Sequence, residues 1–146
     1  MRTWIFLFCC FVGTNEVYAE CRAFRPFSNA QLEVREYSGE TFDAYALASW
    51  LPYGPPTIYY GKRFESLTEL QKKFVQKHEC AHLSVPTVDE VLANCAVLRQ
   101  LRDEGLNQSD EAEIARWIVA EGAQGFLVKG DPRAFWNATI ECADAP

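Results

Sequence analysis

Apolar and polar positions change rhythm near residue 65. Upstream, the period is two. From Gln31 to Tyr37, Leu32 and Val34 fall on one side while Glu33 and Arg35 fall on the other, the alternation of a half-buried strand. Ser38-Gly39 then predicts a turn. The apolar and aromatic stretch from Thr41 to Ser49 predicts a second strand, although its alanines are weak strand formers. Tyr53-Gly54-Pro55-Pro56 predicts a loop, and Thr57-Ile58-Tyr59-Tyr60 a short strand ended by Gly61. Residues 20–30, broken by Pro26 and Ser28-Asn29, predict irregular chain.

Downstream, the period becomes helical. Ser66-x-x-Glu69 has capping-box spacing and opens a helix whose inner stripe is Leu67, Leu70, Phe74 and Ala81, flanked by Val75 and Leu83. Pro86 stops it. Thr87-x-x-Glu90 repeats the capping spacing and opens a second helix that runs to about Glu104 and ends at Gly105. Asn107-Gln108-Ser109 predicts a loop. Asp110 caps a third helix carrying Ile114, Trp117 and Ile118 and closed by Gly122. Asp131-Pro132, a cap followed by proline in the first turn, starts a last helix through about Cys142. Trp117, Phe126, Phe135 and Trp136 are expected in the second half of the core. Strands first and helices afterwards predict an α+β domain with a small N-terminal sheet and about four helices.

The 146 residues allow one domain, expected over 20–146. The first nineteen read as a secretory leader: Arg2, a short apolar run from Trp4 to Val12, and the small-residue site Val17-Tyr18-Ala19. The expected compartment is therefore secreted or periplasmic. Cys9 and Cys10 fall in that leader, leaving Cys21, Cys80, Cys95 and Cys142, an even number that predicts two disulfides. Three pairings are open. The favoured one is Cys80–Cys95, clamping consecutive helices, with Cys21–Cys142 tying the ends together. A net charge of −6 with no basic patch argues against nucleic acid as a partner. No stretch after residue 19 has the length and apolarity to cross a membrane. Asn137-Ala138-Thr139 is a glycosylation sequon, relevant only in a eukaryotic secretory pathway.

Both histidines of the chain lie within His78-Glu79-Cys80-Ala81-His82, the H-E-x-x-H pattern. Residues four apart share a helix face, so two imidazoles at that spacing can hold one metal ion. Glu79, about 100° further round, reaches a water on that metal without binding the metal itself. His78 continues the Leu70 and Phe74 stripe, which turns the motif inward. On a strand, His78, Cys80 and His82 would instead share one face and form a structural site, but the capped, helix-periodic lead-in favours the helix. A catalytic zinc site needs a third protein ligand, and the first carboxylates after Pro86 are Asp89 and Glu90. Glu90 has a competing use as the capping-box partner of Thr87.

Glu90-Val91-Leu92-Ala93-Asn94 resembles the E-x-x-A-D pattern of gluzincin-type metallopeptidases, and the order from Thr57 to Asn94 is similar to the zincin core. Phe74, the motif and Cys95 together also resemble small exported proteobacterial proteins of this type. The resemblance implies that Glu90 completes a zinc site with His78 and His82. It implies that position 94 supports a liganding histidine from behind, here with the uncharged Asn94. It further implies a peptidase in which Glu79 takes a proton from the zinc-bound water and passes it to the leaving amine. Tyr59, Tyr60 and Arg99 are candidate oxyanion donors, each with an ordinary packing or surface role as the competing use. Thr57 to Tyr60 is either an edge strand that pairs with an extended peptide or an internal strand. The rival to the peptidase is a non-catalytic binding module of the cell envelope, stabilised by its metal.

Overall fold

The computed structural model describes residues 21–24, 30–50, 54–85, 87–125 and 130–146, with backbone alone for 121–125. The expected leader over 1–19, the breakers Pro26, Ser28, Asn29 and Tyr53, the stop at Pro86 and the core position Phe126 lie outside these residues.

Small β-sheets precede four helices, so the domain is α+β. The strands are β1 (Arg22–Phe24), β2 (Gln31–Glu33), β3 (Arg35–Glu40), β4 (Ala46–Ser49) and β5 (Thr57–Gly61). β1 and β2 form an antiparallel pair with Ala23 opposite Leu32. A strand therefore stands where irregular chain was expected, because Ala23 is fully buried against the core. The other three strands make a sheet in the order β3-β5-β4, with β3 parallel and β4 antiparallel to β5.

β5 is thus the internal strand, and its buried Thr57, Ile58 and Tyr60 fit that place. Its end is shaped by Gly61. A Cβ there would collide with the Ala44 carbonyl oxygen and with Phe42, while the Gly61 N–H donates to the Tyr45 carbonyl at 2.9 Å. Close approach of residues 42–45 shortens the second expected strand to Ala46–Ser49. Ser38-Gly39 lies inside β3 rather than in a turn. Gly39 has φ 84° and the register with β5 shifts between Tyr37 and Glu40, which makes the irregularity a bulge.

The helices are α1 (Glu69–Ser84), α2 (Glu90–Asp103), α3 (Gln108–Gly125) and α4 (Pro132–Asp144). Three caps differ from expectation. Thr68 and Gln71 form the reciprocal capping box of α1, while Ser66 closes a 3₁₀ turn over Phe64–Ser66 and donates to the Arg63 carbonyl. Asp89, not Thr87, caps α2 by accepting from the Val91 and Leu92 N–H groups. Asn107, not Asp110, accepts from the Ser109 and Asp110 N–H groups at the start of α3, which runs on past Gly122. Asp131 and Pro132 open α4 as expected, and Gly105, with φ 95°, follows α2.

The core gathers Phe74 against Trp117 and Trp136, with Tyr45 edge-on to Trp117 and Phe135 packed at the margin. Two disulfides hold it, Cys21–Cys80 and Cys95–Cys142, with Cα separations of 5.6 and 5.7 Å. Both expected pairings are wrong for one reason. Cys80 is two positions from each histidine, so it leaves α1 on the side away from α2 and meets the N-terminal strand instead. Cys95 then faces α4. Among the described residues no helix is long and apolar enough to cross a membrane.

Lys77 is buried on α1, and its ammonium donates to Glu104 at the end of α2 at 2.7 Å, with Lys73 on the same carboxylate at 2.9 Å. The two lysines hold the Glu104 carboxyl below the usual range. Glu104→Ala is expected to lower stability in chemical denaturation by about 1 kcal/mol, kept small because the carboxylate is 36% exposed. A depressed carboxyl stabilises above its unfolded value near 4.5 and loses that contribution as pH falls through the lower folded value. The gap between wild type and variant should therefore close on acidification.

Candidate metal centre

α1 sets His78 and His82 one turn apart on the same face, with ring centroids 4.6 Å apart and planes at 88°. Each ring is fixed from behind. The His78 Nδ1–H donates to the Asn94 side-chain oxygen at 2.7 Å, and the His82 Nδ1–H donates to the Thr87 carbonyl at 2.9 Å. Both acceptors are oxygens, so the Nδ1 atoms carry the protons and the Nε2 atoms turn their lone pairs to the same point. The Nε2 atoms are 3.0 Å apart. Glu90 Oε2 joins them at 2.9 Å from His78 Nε2 and 3.3 Å from His82 Nε2.

Three lone-pair donors at such distances repel one another unless a proton or a metal ion sits among them. Tetrahedral ligands at ordinary metal–nitrogen and metal–oxygen lengths stand about 3.4 Å apart, so a small outward relaxation of these side chains suffices. His78, His82 and Glu90 can therefore hold a metal ion. The opening lies on the His82 and Glu90 side, since these side chains are 14% and 19% exposed while His78 is 2% exposed.

The reason Glu90 is available lies in the helix cap. With Asp89 at the cap, Glu90 is the first residue of α2 and owes nothing to the Thr87 N–H. Asp89, the other carboxylate that follows Pro86, spends its side chain on the cap. Asn94, one turn after Glu90, is fully buried on the same face of α2. Burial alone would raise the Glu90 carboxyl, but in the metal-free protein imidazoles that are protonated at both ring nitrogens donate to it and hold it at about 2. Burial works to lower His82, and hydrogen bonding to Glu90 and to the Thr87 carbonyl outweighs it, so its pKa is raised.

Glu79 lies beside this cluster, 8% exposed. Burial pushes its carboxyl up from the ordinary range, against the opposing pull of His78, His82 and a hydrogen bond from the Ala48 N–H. Ala48 belongs to β4, an edge strand of the sheet that packs on α1. That backbone donor and the Thr87 carbonyl behind His82 have no side-chain signature, which is why the sequence does not announce them.

The remaining candidates fall elsewhere. The Tyr60 hydroxyl lies close enough to Glu79 to feel its charge, but it donates to Glu36 at 2.8 Å and accepts from Gln76. Burial, then Glu36, raises its pKa, so its proton is committed away from the centre. Tyr59 stacks on Tyr37 with centroids 5.6 Å apart, on the sheet face opposite Ile58 and Tyr60. Arg99 donates to the carbonyls of Cys142, Ala143 and Ala145 and closes the end of α4. Cys80 is bridged to Cys21 and is no ligand.

These shifts give the metal-free protein a definite pH response. A raised histidine stabilises fully below its unfolded value near 6.5 and loses that contribution as pH rises through the folded value. The Glu90 contribution persists above about 4.5 and fades only toward about 2. Thermal melts with excess chelator should therefore fall in Tm over the range from about pH 6.5 upward. A divalent metal ion competes with the same proton, so the Tm rise on adding metal should grow over that range. His82→Ala should flatten both responses. No protein family, curated protein or solved structure was found to match the chain.

Proposed function

We propose that the protein is an exported zinc-dependent metallopeptidase of zincin-like build, with His78, His82 and Glu90 as ligands and Glu79 as the catalytic carboxylate. The observation that carries the reading is the buried, raised carboxyl of Glu79 placed beside two imidazoles and a carboxylate that converge on one point. Two nitrogen donors and one oxygen donor suit zinc, with a fourth position left for water or substrate. Zinc bound there would acidify a water and polarise a carbonyl. Glu79 takes the proton from the attacking water and delivers it to the departing amine, a task suited to a carboxyl whose pKa is raised by burial.

The substrate is an extended peptide. Among the described residues β4 is an edge of the sheet on the side of the centre, and the backbone of that edge can pair with a peptide without asking for a sequence. This role moves from the internal strand β5 to β4. Two disulfides fit an oxidising compartment, and the leader expected over residues 1–19 gives the export route.

The test is hydrolysis of casein, of a peptide library and of envelope extracts by the disulfide-bonded, zinc-loaded protein beside Glu79→Gln. The variant should keep its zinc and lose about 10²- to 10⁴-fold in rate. Equal activity in the two removes Glu79 from catalysis. A folded, zinc-loaded wild type inactive on every substrate favours the non-catalytic binding module.

A further inference from the structure

The acceptor behind each imidazole, at Nδ1, is a neutral oxygen. His82 is supported by a backbone carbonyl and His78 by the amide oxygen of Asn94. The support behind a liganding imidazole tunes the ligand, because a carboxylate acceptor makes the ring a stronger donor than a neutral one does. Asn94 is fully buried, and its Nδ2 has no hydrogen-bond partner among the described residues. A buried amide with an unused donor is costly, and holding the ring does not require it. Aspartate would hold the same ring with no orphan N–H. What the amide changes is charge. Glu79 and Glu90 together offset a divalent ion, and a third carboxylate would make the loaded centre anionic.

We infer that Asn94 is the residue that sets metal affinity, keeping the centre electrophilic and its metal readily exchanged. Asn94 acts on the metal through His78 and is a positioning and tuning residue. The inference rests on the metal-site reading above and deepens it.

The experiment is competition for Zn²⁺ between a chromophoric chelator and the disulfide-bonded protein, as wild type, Asn94→Asp and Asn94→Ala. Asn94→Asp should bind about tenfold tighter or more and release zinc more slowly, while Asn94→Ala should bind about tenfold weaker. A purely structural asparagine predicts loss in both variants. Folded Asn94→Asp that binds no tighter than wild type overturns the inference and leaves the metal site standing. Should Asn94→Asp not fold, the wild type decides. Zinc surrendered to excess chelator within minutes supports the inference, and zinc held for many hours overturns it. A wild type that binds no zinc defeats both this inference and the reading beneath it.

Discussion

Two hydrogen bonds on the far side of the imidazoles govern what this centre can do. Asn94 and the Thr87 carbonyl take the Nδ1 protons of His78 and His82, and both Nε2 lone pairs are thereby aimed at Glu90. If either ring turned over, a proton would face the other ligands and the cluster would be a salt-bridge network only. The rest of the fold serves that alignment. Phe74 stacks on His78 from one turn earlier in α1, and Asp89 caps α2 so that Glu90 is free to point inward.

A domain of this size supplies a modest core, and its covalent ties sit where they restrain the centre. Cys21–Cys80 pins the N-terminal strand to the helix turn between the two histidines. Cys95–Cys142 pins α2, next to Asn94, to the last helix. Lys77, adjacent to His78, reaches across to Glu104 and joins the middle of α1 to the end of α2. The two helices that carry His78, His82 and Glu90 are thus held at several points.

Much of the centre is legible in the sequence because it is local. Histidines four apart on a capped, amphipathic stretch fix their own relative placement, and a carboxylate one short turn later has little freedom to be elsewhere. The α+β order and the four helices follow from periodicity in the same way. What depends on distant pairing is not legible. β5 is internal because β3 and β4 flank it, a fact no strand states about itself. The disulfides follow from which side of α1 meets β1, and the favoured pairing is wrong because sequence neighbours in helices are not neighbours around them. The caps slip by two or three residues because Ser66 and Thr68, Thr87 and Asp89, and Asn107 and Asp110 are all residue types that cap. Tyr59 and Arg99 have the right chemistry for an oxyanion donor and the wrong address, while the backbone groups of Ala48 and Thr87 have the right address and no visible chemistry.

His78, His82 and Glu90 can hold one metal ion. The decisive experiment is elemental analysis of the purified, disulfide-bonded protein beside Glu90→Ala, both dialysed against the same metal-buffered solution. About one zinc per chain is expected in the wild type and a clear loss in the variant, with both proteins folded. Equal zinc in the two, or none in either, would overturn the metal site.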